Sequence, residues 1–270
     1  MTFSRSFVHK AALAAALTAT AGTAIAQSPP MKSGPMPAEL TKLGDKDAVC
    51  FLASTMAAAS AQASIEKLPL EQRDGVMELS RRQMAFYIGK VSARFPEPQA
   101  STLVTSASTG FAGGVKTDRL PIMRWCLATY SEDVNVFQTR LADARKLAEK
   151  TDPKLSAIQA SAIDEDALCF ALVGVALPQT MEAAKTNPKA ATGVKVLGRA
   201  QHFYMGRLLG KPLKGSIEQS IADAWNYTAA LARAKDNTTA HAKVNACAAK
   251  LEQISPGYFQ AALKGLPEGR

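Results

Sequence analysis

Two stretches of this sequence recur in the same order and at nearly the same spacing. The segment Asp47–Phe51 (DAVCF) returns 119 residues later as Asp166–Phe170 (DALCF). The pattern R-x3-FYxGK of Arg82–Lys90 returns 117 residues later as R-x3-FYxGR of Arg199–Arg207. This period far exceeds the roughly 20 to 50 residues of solenoid repeats. It therefore predicts two tandem, homologous domains, a first repeat at 44–151 and a second repeat at 152–270.

The four cysteines follow the same duplication. Cys50 and Cys126 lie 76 residues apart in the first repeat, and Cys169 and Cys247 lie 78 apart in the second. None belongs to a CxxC pair, which is typical of structural disulfides in an exported protein rather than of zinc or redox sites. The duplication favours one disulfide within each repeat, because a unit that once folded alone must have closed its own bridge. The alternative is four buried free thiols.

The first 26 residues have the composition of an export signal. Arg5 and Lys10 precede an alanine-rich apolar run, and Ala24-Ile25-Ala26 has the small-x-small form that a signal peptidase accepts. We expect cleavage between Ala26 and Gln27 and a periplasmic or secreted protein. The run is shorter than the roughly 20 apolar residues of a membrane anchor, and we expect no transmembrane segment in the mature chain. Residues 27–43, which contain four prolines, predict a flexible arm.

The rest of the chain is rich in Ala, Leu, Gln, Lys and Glu and has few alternating β-branched runs, which predicts an all-α protein. Each repeat is predicted to form a four-helix bundle. The predicted helices are 45–63, 69–94, 97–111 and 120–149 in the first repeat, and 164–177, 188–209, 216–234 and 238–254 in the second. Pro178 and Pro256-Gly257 are expected to break helices, with a short tail helix after the second break.

The net charge is +9, and it falls to +7 without the signal, which holds two of the 32 basic residues and none of the 23 acidic ones. This excess is spread thinly over both repeats. Specific nucleic-acid binders concentrate basic charge on one face, so we expect no specific nucleic-acid partner.

The acidic pairs Asp45/Asp47 and Asp164/Asp166 precede apolar helices. As capping residues they would accept hydrogen bonds from the free amides of the first turn, and this interpretation is favoured. As paired carboxylates they would perform acid–base chemistry or hold a cation.

The recurring FYxG[K/R] motif also has two interpretations. As a site, it would hold an anionic ligand with side chains that share one helix face. As structure, the aromatic rings would fill the core, Gly89 and Gly206 would let a neighbouring helix approach, and the basic side chain would reach solvent. The helix that carries the motif has an apolar face, on which Met84 of the first repeat is replaced by Gln201 in the second. If the protein has a small-molecule pocket, we therefore expect it in the second repeat, at Gln201, Tyr204 and Arg207. The candidate ligand-binding residues are Arg82, Tyr87, Lys90, Arg199, Gln201, Tyr204 and Arg207.

His202 and His241, the histidines that remain after cleavage, lie in different predicted helices, and no cysteine is free to join them. We therefore expect no metal and no cofactor. The sequence contains no CxxCH, GxSxG or GxxxxGK motif, and no catalytic residue is assigned.

The Asp-Ala-[Val/Leu]-Cys-Phe start, the Phe-Tyr-x-Gly-[Lys/Arg] centre and the late cysteine resemble a loosely defined set of small exported proteins of alpha-proteobacteria, here doubled. This resemblance covers both repeats and implies an exported helical domain without indicating a substrate. A fainter similarity, in cysteine topology alone, is to small periplasmic acid chaperones with one disulfide, whose cysteines lie closer together.

These observations favour a non-catalytic exported helical protein that binds a protein or small-molecule partner. One alternative is a disulfide-stabilised periplasmic stress chaperone, which would expose apolar surface or dissociate in acid. Another is an enzyme with a pocket in the second repeat, which would bring His202 or His241 to a carboxylate or a serine.

Overall fold

A computed structural model describes residues 33–64, 70–113, 119–150, 163–212, 215–234 and 237–264. Within these ranges every regular element is an α-helix, which confirms the predicted all-α class. The helices in chain order are α1 (Ala38–Lys42), α2 (Lys46–Ser64), α3 (Leu70–Arg94), α4 (Gln99–Gly113), α5 (Leu120–Glu149), α6 (Glu165–Ala184), α7 (Pro188–Gly210), α8 (Ile217–Ala234) and α9 (Asn237–Lys264). The predicted export signal lies outside the described residues.

Both predicted disulfides are confirmed. Cys50 on α2 is bonded to Cys126 on α5, with their Cα atoms 5.3 Å apart. Cys169 on α6 is bonded to Cys247 on α9, with a Cα separation of 5.4 Å. Each bridge therefore joins the first long helix of a repeat to the last helix of that repeat.

The predicted breaks at Pro178 and at Pro256-Gly257 are wrong. Helix α6 continues past Pro178 to Ala184, and α9 continues past Pro256 to Lys264. A proline inside a helix removes one amide donor and crowds the preceding turn, but it does not forbid the helix beyond it. In α9 that extension buries Tyr258, so packing after the proline stabilises the helix.

Part of the segment expected to be a flexible arm is structured. Within 27–43, residues Ala38–Lys42 form α1, and Leu40 is buried. Gly44 follows with a positive φ of 113°, a backbone conformation that glycine adopts without strain, and the chain then enters α2. The indole Nε1 of Trp125 on α5 donates to the carbonyl oxygen of Gly34, within this segment, at 3.1 Å.

The described helices divide into two compact units whose bounds differ from those of the repeats. Among the described residues, unit I contains Val136–Tyr204 and Pro212–Lys250, and unit II contains 33–135, Met205–Lys211 and 251–264. Helices α5, α7 and α9 therefore each contribute residues to both units. The predicted boundary near residue 151 falls outside the described residues.

Each unit has its own aromatic and aliphatic core. In unit II, α2 packs against α3 and α4 and buries Phe51. In the same unit, the buried rings of Phe86 and Tyr130 pack edge-on with centroids 5.2 Å apart. In unit I, α6 packs against α8. Helix α6 is the one described helix long and apolar enough to cross a membrane, but half of its apolar window is buried, as in core helices that meet the same criterion.

Candidate functional site

The tyrosine of each FYxG[K/R] motif bonds the late cysteine of its own repeat. Tyr87 donates its hydroxyl to the carbonyl oxygen of Cys126 at 2.6 Å. Tyr204 donates to the carbonyl oxygen of Cys247 at 2.9 Å. Both tyrosines are fully buried, and a buried hydroxyl without a partner would be costly. The two copies of the motif thus make the same internal contact, which favours the structural interpretation of the motif.

A cluster of charged side chains surrounds the basic end of the first motif. The Nζ of Lys90 lies 3.2 Å from Oδ1 of Asp47 and 2.9 Å from Oδ2 of Asp133. Arg94, one turn further along α3, places Nη2 at 2.9 Å from Oδ1 of Asp45 and 2.7 Å from Oδ2 of Asp47. We call these five residues the charge cluster of unit II. Three carboxylates thus face two cations.

Burial and charge act on Lys90 in opposite directions. Burial alone would lower the pKa of its ammonium group, because a low-dielectric environment disfavours charge. The nearby carboxylates of Asp47 and Asp133 outweigh this effect and raise the pKa above its ordinary value. Lys90 therefore stays charged and is held by internal partners instead of facing solvent.

The predicted caps are present at both repeats. Asp45 accepts hydrogen bonds from the backbone amides of Asp47 at 3.0 Å and Ala48 at 3.1 Å. Asp164 accepts from the amides of Asp166 and Ala167, each at 3.1 Å. Asp47 has a second role that the capping interpretation missed, because its carboxylate is buried against Lys90 and Arg94.

The three candidate arginines lie at different places. Arg82 on α3 has its Nε 3.7 Å from Oε1 of Glu78, one turn earlier on the same helix. Arg199 is half-buried on α7. Arg207, at the end of α7 in unit II, donates from Nη1 to the hydroxyl of Ser92 at 3.0 Å. Arg82 and Arg207 thus each contact another side chain of the protein, and their role as ligand-binding residues stays a prediction.

Gln201 is the candidate with an unsatisfied polar atom. Its side chain is buried in unit I, and its Oε1 has no hydrogen-bond partner among the described residues. The ideal Cβ position of Gly174 on α6 lies 3.6 Å from its Nε2, so α6 passes close to this amide. The expected pocket at Gln201, Tyr204 and Arg207 stays a prediction, in which Tyr204 already bonds Cys247.

The two histidines lie in different environments. His202 is buried, and its Nδ1 lies 2.8 Å from the carbonyl oxygen of Gly198, one turn earlier on α7. His241 is exposed on α9. In the part of the chain that the structure describes, no group of three His, Cys, Asp or Glu residues is arranged to hold a metal ion.

The glycine of the second motif permits a close helix contact in unit II. A Cβ atom added to Gly206 would overlap the carbonyl oxygen of Phe86 on α3. One added to Gly210 would lie 2.8 Å from the carbonyl oxygen of Lys90. The end of α7 therefore lies directly on the backbone of α3, as the structural interpretation of Gly206 expects.

The comparisons with known proteins returned no counterpart. No protein-family model, no curated protein and no solved structure matches the chain.

Proposed function

We propose that this protein is exported to an oxidising compartment and acts without catalysis, by binding another polypeptide. Two disulfides between distant helices support the compartment, because such bonds persist in the periplasm or outside the cell and are rare in the cytosol. The resemblance to exported alpha-proteobacterial helical proteins points the same way.

The recurring motif residues support a structural task for that part of the chain. Tyr87, Tyr204, Lys90 and Arg207 each make a hydrogen bond to another residue of the protein. A ligand at these positions would have to displace the partners already present. We therefore place the binding surface elsewhere.

The observation that carries the proposal is an exposed apolar pair at the end of α9. Leu263 has 59% of its surface exposed. Phe259, one turn earlier, has 37% exposed, and the rest of its ring packs against the buried Phe51 with centroids 5.5 Å apart. The same turn is anchored, because Ala261 and Ala262 are buried and their carbonyl oxygens accept hydrogen bonds from Thr105 and Ser108. A hydrogen-bonded helix turn that presents two adjacent apolar side chains is suited to an apolar segment of a partner protein.

A photo-crosslinking residue tests this surface. Placed at Leu263, it is expected to label a discrete partner polypeptide in periplasmic extract. The control is the same residue at Met181, an equally apolar side chain with 48% exposure in unit I. Equal labelling from both positions would contradict the proposal. A small molecule retained in native mass spectra would indicate a ligand carrier instead, and unselective labelling that rises in acid would indicate the chaperone alternative.

A further inference from the structure

Two buried aromatic pairs connect the repeats. In unit II, Phe51 of the first repeat packs edge-on against Tyr258 of the second, with ring centroids 6.0 Å apart. In unit I, Phe170 of the second repeat packs edge-on against Phe137 of the first, with centroids 5.1 Å apart. All four rings are buried, so these contacts belong to the cores of the units.

The two pairs occupy equivalent positions in the duplication. Phe51 directly follows Cys50, and Phe170 directly follows Cys169. Phe137 and Tyr258 each lie 11 residues after the second cysteine of their repeat. The ring after the first cysteine of each repeat thus contacts the ring 11 residues after the second cysteine of the other repeat. Such a reciprocal pair of contacts between two copies is typical of an isologous, two-fold interface.

Polar contacts made by the C-terminal parts of α5 and α9 also join one repeat to the other. In unit II, the hydroxyl of Thr105 on α4 donates to the carbonyl oxygen of Ala261 on α9 at 3.0 Å. In unit I, Nη1 of Arg140 on α5 lies 3.7 Å from Oε1 of Glu218 on α8. The end of each repeat's last helix thus contacts the third helix of the other repeat.

A third contact places equivalent residues beside each other. Ala93 and Gly210 each lie three residues after the basic residue of their motif. The ideal Cβ position of Gly210 is 3.2 Å from the Cβ of Ala93 in unit II. A contact between equivalent positions of the two copies agrees with the isologous pairing of the aromatic rings.

We propose that the two repeats exchange the C-terminal ends of their last helices, so that residues 136–149 complete the core of unit I and residues 251–264 complete the core of unit II. The surface that a single repeat presents is therefore one that a second copy of the same repeat covers, and this chain holds a segment-swapped dimer within one polypeptide. The inference rests on the predicted duplication and is independent of the proposed function.

Amide hydrogen exchange, measured on the full, oxidised chain, tests whether the helix ends are swapped between the repeats. Tyr258→Ala removes a ring from the second repeat, and amide exchange should accelerate on the order of a hundredfold in residues 46–58 of the first repeat. Phe137→Ala should accelerate exchange by a similar factor in residues 165–177 of the second repeat. Leu263→Ala, an exposed position on the same helix end as Tyr258, should leave residues 46–58 unchanged. Faster exchange only in the repeat that carries the substitution would overturn the proposal.

Two further measurements guard against variants that unfold completely. Tyr258→Leu and Phe137→Leu keep much of the buried volume, and they should give the same reciprocal pattern with smaller factors. The second measurement uses a chain without the ring substitutions, in which a protease site inserted between residues 151 and 162 allows the folded protein to be cut. Neither disulfide joins the two repeats. The two fragments should nevertheless stay together in native mass spectra, and their separation without denaturant would overturn the proposal.

Discussion

The hydroxyl of Tyr87 and the carbonyl oxygen of Cys126 are joined by a 2.6 Å hydrogen bond. This contact places the motif of α3 directly against the half-cystine of α5, whose sulfur is bonded to Cys50 on α2. Three helices of the first repeat thus meet at one point. The bond from Tyr204 to Cys247 is the corresponding contact of the second repeat.

Tyr87→Phe and Tyr204→Phe should each lower the free energy of unfolding by about 1 kcal/mol, because each leaves a buried carbonyl with one partner fewer. Urea denaturation of the oxidised protein measures the loss. Tyr258→Phe is the comparison, since its hydroxyl has only a weak side-chain interaction, with Ser92, and it should cause a smaller loss. Equal destabilisation by all three changes would show that ring packing, and not the hydrogen bond, determines the effect.

Gly206→Ala should lower the free energy of unfolding by about 3 kcal/mol or more, because the added methyl group overlaps the backbone of α3 and the helices must move apart. Gly257→Ala is the control within a helix. A Cβ there meets nothing within 4 Å, so the gain in helix propensity should stabilise the protein by about 0.5–1 kcal/mol. Thermal unfolding followed by circular dichroism compares the two, and a harmless Gly206→Ala would contradict the close contact.

Lys90→Met should destabilise the protein by about 3 kcal/mol, because it leaves the buried carboxylate of Asp47 with one cation where there were two. Lys146→Met serves as the control. Lys146 pairs with Asp143 on the surface, where such pairs contribute little, and the change should have no measurable effect. Urea denaturation at low ionic strength is the measurement, since urea is uncharged and does not screen ion pairs. Equal values for the two variants would refute a structural role for the charge cluster.

Alkaline pH should destabilise the protein through its buried tyrosines. Burial raises the pKa of Tyr87, with Asp47 and Asp133 adding to the effect, and burial also raises the pKa of Tyr130 and Tyr258. In the unfolded chain these groups ionise near their ordinary pKa of about 10. Their stabilising contribution is therefore complete below about pH 10 and is lost as the pH rises above it, by about 1.4 kcal/mol per pH unit for each group.

Tyrosinate absorbance near 295 nm, recorded together with circular dichroism, tests this pH dependence. The absorbance of the buried tyrosines should appear only as the helices unfold. Above about pH 10, Tyr130→Phe should reduce the slope of the unfolding free energy against pH by the contribution of one tyrosine, about 1.4 kcal/mol per pH unit. An unchanged slope in that variant, or ionisation well before unfolding, would show that Tyr130 is not protected by the fold.

The helical class and the disulfide pairing could be predicted from the sequence, because both depend on local composition and on the period of the repeat. The continuation of α9 past Pro256 could not. A proline disfavours a helix locally, whereas the stabilisation that outweighs it comes from burial of Tyr258 against Phe51, a residue far away in the chain.

The candidate site was predicted only in part. The motif positions were found from their recurrence, and the packing role of Gly206 followed from its place in a helix. The partner of the Tyr87 hydroxyl was not predictable, because it is a backbone carbonyl on another helix. A repeat in the sequence shows which residues are equivalent, but not whether a residue packs within its own repeat or against the other one. The contacts of Phe51 and Phe170 with rings of the other repeat are therefore seen only in the structure.

The distance along the chain between Phe51 and Tyr258 is 207 residues. The core that begins with α2 thus remains incomplete while almost all of the polypeptide is synthesised, and it closes only when the last helix is present. Contacts of such long sequence separation form late and slow folding. The cysteine bridge from Cys50 to Cys126 requires a much shorter stretch of chain and can hold the early helices together during that interval.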